Sequence, residues 1–319
     1  MFPNTLPAME MTRKIEYLTP APKDAAPELA PDTSSPLLSF VQFGFGTLGR
    51  LFPKFGAKVA YRLFSTPRIR AVHKTSDELL ERARMFEFLY GQQLLKGYEW
   101  GSGSETVLLV HGWESRGTAL RSFVPPLLKR GYRVVALDGP AHGNSGGKRT
   151  NIIEFGGAVS AIIKQVGGVH SIIAHSFGGA STVFALRNID PSAKVENLVL
   201  IGVPNRLSRV VASTAKTLNL PGNVKQHFRA MLEHKLGTSI DQADLANAAG
   251  KVNVKELLIV HDRYDPVVDF ESAEEVFEAW DDATLLITEG YGHYRLMKNS
   301  KITERVAAFI DTHLTVSVP

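Results

Sequence analysis

Residues 172–181 read IIAHSFGGAS: an apolar run that suits a buried strand, a serine, and then a stretch in which Gly178, Gly179, Ala180 and Ser181 are small enough to open a closely packed helix. A strand-to-helix corner of this kind would hold the Ser176 hydroxyl out at a sharp turn, as a nucleophile elbow does. Taken alone, Ser176 reads better as an ordinary helix N-cap. The pentapeptide recurs by chance, so its meaning depends on partners elsewhere in the chain.

Outward from the corner, ETVLLVHG, YRVVALD, HSIIAHS, ENLVLIGV, KELLIVHD and ATLLITEG are nearly continuous apolar runs. That pattern belongs to strands covered on both faces. Helical stretches at about 117–130, 150–166, 178–189, 270–280 and 300–314 separate or follow them. Strand and helix in alternation predict an α/β fold with a doubly wound, mostly parallel sheet. About fifty residues separate VLIGVP from KELLIV, far beyond a usual connection, and three segments within them look helical, so 204–252 is expected to be a helical cap insertion. The core is then 95–203 and 253–319.

Ligands in such sheets gather beyond the carboxyl ends of the strands. There the sequence places His111-Gly112-Trp113, Asp138, Ser176, Asp262 with Asp265, and His293. A serine, an acid and a histidine thus follow one another in chain order. With the Asp-x-Pro-x-x-Gly-x-Ser loop at 138–145, the DRYDPVV loop and the GYGH segment, residues 95–315 resemble the α/β-hydrolase superfamily. Ala174 stands where that pattern usually has its first glycine. The resemblance implies a serine hydrolase of esterase type.

The chemistry also follows from the residues. A serine hydroxyl needs an adjacent base, for which His293 is the candidate, and a carboxylate to orient that base. Both Asp265 and Asp262 are open to that role; Asp265 is favoured because it precedes Pro266 in the turn where the superfamily's acid sits. The amides of Phe177 and Trp113 are the expected oxyanion donors. His175, Glu114 and Arg116 are candidate pocket residues, His111 a brace of the oxyanion loop, His142 a turn residue, and Asp138 a structural acceptor in its loop. His227 and His234 lie two turns apart on one helix, about 10 Å, too far to share an ion.

N-terminal to the core, 1–35 is Pro-, Ala- and Ser-rich and reads as a flexible tail, and 36–94 as a basic, helical extension. Between Pro36 and Lys74 there are seven Lys or Arg and no Asp or Glu. Arg50, Lys54, Lys58 and Arg62 recur every four residues beside an apolar stripe of Leu48, Leu51, Phe55, Val59 and Leu63. Pro53 is expected to open the main helix and Gly56 to weaken it. Residues 48–65 suit either an interfacial helix on an anionic membrane or a helix packed on its own domain with a solvated basic face. TSDELLERARMFEFLY is expected to be one helix.

Zero cysteines exclude a disulfide scaffold and a thiolate metal site or nucleophile. Metal: none is expected, and likewise no cofactor; the small net charge of +4 and the absence of any nucleic-acid module argue against nucleic acid. No secretory signal or run of about 20 apolar residues is visible, which makes the cytoplasm the expected location. The expected partner is a small-molecule acyl substrate; oligomeric state is left open. On the same triad, thioester or C–C hydrolysis and acyl transfer remain open, as do a lipid hydrolase at a membrane surface and a non-catalytic ligand-binding relative.

Overall fold

The computed structural model describes residues 13–18, 20, 36–73 and 77–311. Its frame is a nine-stranded sheet of β1 (Lys14–Tyr17), β2 (Arg84–Tyr90), β3 (Gln93–Trp100), β4 (Thr106–Val110), β5 (Arg133–Asp138), β6 (Ser171–His175), β7 (Val195–Ile201), β8 (Val254–Asp262) and β9 (Ala283–Thr288). The spatial order is β1-β9-β8-β7-β6-β4-β5-β3-β2. Pairing is parallel from β1 to β5 across the sheet, and antiparallel for β5 with β3 and for β3 with β2.

Every residue of β4 and β6 is buried, and the two-residue period divides them between two cores. Leu108, Val110, Ile172 and Ala174 face one layer; Val107, Leu109 and Ile173 face the other. The N-terminal helices are α1 (Pro36–Gly44) and α2 (Pro53–Phe64), followed by the single turn α3 (Glu78–Glu81) and by α4 (Val124–Lys129). Then come α5 (Ile152–Gln165), α6 (Phe177–Asn188), the insertion helices α7 (Leu207–Thr217) and α8 (Gly222–Leu236), α9 (Glu271–Ala279) and α10 (Ser300–Asp311). Phe155 and Ile162 of α5, Val183 of α6 and Val276 of α9 fill the first layer; Leu127 of α4 and Val306 and Ile310 of α10 fill the second.

Three expectations need correction. Part of the tail read as flexible is an edge strand: β1 pairs with β9 and is pinned where Arg305 donates to both oxygens of Glu16 at 2.6 and 2.8 Å. That guanidinium holds the Glu16 carboxyl down to about 2. The remainder of 1–35 lies outside the described residues. The helix expected over TSDELLERARMFEFLY stops after α3, which Asp77 caps by accepting from the Leu80 amide. Its second half is β2, because Phe86, Phe88 and Tyr90 turn inward while Met85, Glu87 and Leu89 stay in water, a period of two. The stretch read as extension therefore also contributes a strand, β2, to the sheet.

Gly56 also marks where α2 meets α8: a Cβ there would lie 3.2 Å from Val224 Cγ2. Pro53 does open the helix. Finally, SIDQADLANAAG forms two short 3-10 turns, Ile240–Gln242 and Ala246–Ala248, in place of a helix. There the Ser239 hydroxyl accepts from the Asp241 amide and competes with helical bonding.

Candidate active site

Ser176 closes the end of β6 with φ +52° and ψ −126°, a backbone state that side chains strain to adopt. The corner persists because its neighbours have no room to relax. A Cβ on Gly178 would sit 2.2 Å from the His111 carbonyl oxygen, and one on Gly179 would sit 2.4 Å from Val203 Cγ2. Ala174 is buried in the core without displacing this packing. The loop after β4 presses on the serine from the other side, since a Cβ on Gly112 would lie 3.2 Å from Ser176 Cβ.

Next to the loop, the Trp113 and Phe177 rings meet edge-on at 5.1 Å. Phe177 is the first residue of α6, where an amide has no acceptor within the helix and the helix dipole favours negative charge. His111 braces this region: one ring nitrogen donates to the Gly112 carbonyl at 2.7 Å and the other accepts from the Gly139 amide at 3.0 Å.

The acid and the imidazole meet on the same rim. His293 Nδ1 donates to Asp265 Oδ2 at 2.7 Å, with both side chains buried. The other oxygen of Asp265 accepts from the amides of Val267 and Val268 at 2.7 and 3.0 Å. Burial pushes this carboxyl up, but the hydrogen bond and charge of His293, with those amides, outweigh it and hold it below the usual range. Asp262 reaches elsewhere, accepting from Tyr264, Thr288, Gly290 and Tyr291 to bind the acid loop to the loop that carries His293.

His175 joins the two halves. Its Nε2 donates to the His293 carbonyl at 3.0 Å, with the rings 4.6 Å apart, so the residue before Ser176 holds the backbone of His293. Its side chain is buried. Behind the pair, a Cβ on Gly202 would lie 3.1 Å from His293 Nδ1, and the positive φ of +56° there also favours glycine. Among the described residues no three His, Asp or Glu side chains converge as a metal site.

Residues 107–308 match the family model described as "Alpha/beta hydrolase family". The chain belongs to the alpha/beta hydrolase family. Curated relatives include a pyrethroid hydrolase of Sphingobium wenxiniae, 29% identical over 118 residues, covering 31% of this chain and 42% of that one. A 2-hydroxy-6-oxononadienedioate/2-hydroxy-6-oxononatrienedioate hydrolase of Cupriavidus pinatubonensis is 35% identical over 113 residues, covering 32% of this chain and 37% of that one. The chain thus spans less than half the length of the curated relatives it matches. Among solved structures, an esterase of Pyrococcus furiosus superposes with a TM-score of 0.59 at 21% identity, over 77% of this chain and 97% of that one. A meta-cleavage product hydrolase from Pseudomonas fluorescens gives 0.54 at 18% identity, over 72% and 98%.

In this alpha/beta hydrolase the two candidate pocket charges after Trp113 are both engaged by protein partners. Glu114 accepts from the Arg68 amide at 2.7 Å and from its guanidinium at 3.2 and 3.4 Å. Arg116 donates to the Val72 carbonyl and to Thr118 Oγ1. Both hold residues 65–73, a strap that crosses the rim from α2. Arg70 continues it by donating to the carbonyls of Gly143, Ser145 and Gly147. His73 ends it 3.1 Å from both oxygens of buried Asp138.

Asp138 is the loop acceptor the sequence implies, taking hydrogen bonds from Gly117, Asn144 and Tyr98. The sequence reading overlooked His73, His261 and the full role of His142. His261 donates to the Val268 carbonyl and so steadies the acid turn. His142 accepts from the Glu114 amide, tying two loops together. HDRYDPVV displays His261 four residues from Asp265, which was a usable signal; nothing local to His73 marks Asp138 as its partner.

The fold should be acid-sensitive because two buried histidines must stay neutral. Burial pushes His111 and His175 from 6.5 down to about 3, helped by the neighbouring His142 and His293 respectively. Because the folded values lie below the unfolded one, the stability is complete above about 6.5 and drains as pH falls toward 3. Linkage gives about 2 kcal/mol per histidine between pH 8 and pH 5. Urea unfolding is expected to show a loss of about 4 kcal/mol over that interval from these two alone; a flat profile contradicts neutral buried imidazoles.

Proposed function

We propose that the protein hydrolyses a carboxylic ester or related acyl compound through an acyl-serine intermediate. The observation that carries this reading is the 2.7 Å contact between His293 and Asp265, tied through His175 to the strained corner of Ser176. With Nδ1 committed to Asp265, Nε2 is the nitrogen that takes the Ser176 proton as Oγ attacks the carbonyl carbon. The amides of Phe177 and Trp113 receive the negative charge on the carbonyl oxygen. Collapse of the tetrahedral intermediate breaks the bond to the leaving alcohol, which takes the proton back from His293. Water repeats the sequence and releases the acid. These steps need no cofactor.

A second reading is C–C hydrolysis on the same residues, favoured by the names of three curated relatives that are 33–38% identical over about a third of the chain. The test is fluorophosphonate labelling, followed by initial rates on p-nitrophenyl esters of rising chain length and on a 2-hydroxy-6-oxo-dienoate. The ester reading expects labelling and graded ester rates that exceed the rate on the dienoate. Faster dienoate cleavage replaces it with the second reading, and absence of labelling removes both.

A further inference from the structure

The N-terminal helices are attached to the body in an unusual way. α1, a π-helical turn (Phe45–Gly49) and α2 lie against the insertion helices α7 and α8. The residues they bury are mostly small: Gly49, Gly56, Ala57 and Ala60, with Phe45. Val224 and Phe228 of α8 receive them. Glycine and alanine let the backbones approach closely, and Phe45, Leu38, Val41, Val59, Tyr61 and Phe64 pack beside them, while the other large apolar side chains of these helices take no part in the contact.

Those side chains face the other way. Leu37, Phe40, Leu48, Leu51, Phe52 and Phe55 are each more than 60% exposed. All six lie within residues 37–55, from α1 through the π-helical turn to the start of α2, and they form an exposed apolar ridge of a kind that folded proteins rarely leave in water. Of the apolar stripe legible in the sequence, Val59 packs against the insertion while Leu48, Leu51, Phe55 and Leu63 stay exposed.

Charge narrows what can cover the ridge. Arg50, Lys54, Lys58 and Arg62 are exposed along it, no acid lies between Pro36 and Lys74, and none of the four cations is in an ion pair among the described residues. A second copy meeting ridge to ridge would bring these cations together without counter-charges. An anionic bilayer satisfies both features: the aromatic and leucine side chains enter the headgroup boundary, and the cations meet lipid phosphates. No helix among the described residues is long and apolar enough to cross a membrane. We infer that the face formed by residues 37–62 docks the protein onto an anionic phospholipid surface.

The test is co-sedimentation of the full chain with vesicles of phosphatidylcholine, with and without phosphatidylserine, at low and high salt. Sedimentation is expected with the anionic vesicles, falling as salt rises. Reversing Lys54→Glu and Lys58→Glu should lower partitioning at least about fivefold for each residue. The pair Leu48→Ser and Phe55→Ser should lower it about tenfold or more. Both pairs are at exposed positions, so thermal unfolding should match wild type and show that the fold is intact. Wild type remaining in the supernatant overturns the inference, as does variant binding equal to wild type. So does a lipid-free dimer that Leu48→Ser and Phe55→Ser dissociate, which would assign the ridge to a second copy. None of these readouts depends on turnover.

Discussion

Ser176→Ala is expected to abolish fluorophosphonate labelling and to lower kcat/KM on the best ester by roughly 10⁵- to 10⁶-fold, because removing the nucleophile disables the whole triad at once. The loss should be chemical rather than structural. The corner is held by main-chain bonds that alanine keeps, from the Ser176 amide to the Ile201 carbonyl and from the Gly179 amide to the Ser176 carbonyl, both 2.9 Å. A companion variant separates strain from chemistry. Ser176→Gly should be equally inactive yet more stable than Ser176→Ala by about 1 kcal/mol, since glycine adopts φ +52° without a Cβ penalty. Chemical denaturation of the two inactive proteins measures that difference. Labelling that survives in Ser176→Ala would move the nucleophile elsewhere, and equal stability of the two variants would remove the strain argument.

The parts of this site that were legible in the sequence are those fixed by short stretches. The glycines at 178 and 179, the His-Gly-Trp loop and the DRYDPVV turn each owe their shape to residues a few positions away, so their chemistry is visible in one line of text. The parts that escaped depend on distant partners. β1 has four residues, too few for a period to register, and stands because Arg305 reaches Glu16 from the far end of the chain. β2 was hidden by the strong helix-forming ELLER that precedes RMFEFLY, and only pairing with β3 selects the alternating reading. Likewise RIRAVHK looks like a solvated basic linker until the fold brings Glu114 and Asp138 beside Arg68 and His73. The partners of Glu114 and Arg116, Arg68 and the Val72 carbonyl, were out of view in the sequence for the same reason.

Asp262, at the end of β8, and Asp265, three residues on in the following turn, can be told apart by a pair of amide substitutions. Asp265→Asn keeps an acceptor for the amides of Val267 and Val268, so the turn should survive. Its new NH2 group then faces His293 Nδ1, which must become the acceptor; the ring's proton moves to Nε2, the nitrogen that has to receive the Ser176 proton. The expected consequence is a loss of kcat of about 10⁴-fold with nearly unchanged stability. Asp262→Asn should behave in the opposite way. Its two oxygens accept from the amides of Tyr264, Gly290 and Tyr291 and from the Thr288 hydroxyl, and an NH2 in place of Oδ2 would face the Tyr291 N–H, a buried donor that cannot turn around. Leaving that donor unsatisfied and removing the charge should cost about 2–3 kcal/mol of stability, read by urea unfolding, while the molecules that remain folded lose far less kcat than Asp265→Asn does. The comparison turns on order rather than on either magnitude: if Asp262→Asn is the slower enzyme and Asp265→Asn the less stable protein, the carboxylate that orients His293 during turnover is not the one that touches it at 2.7 Å.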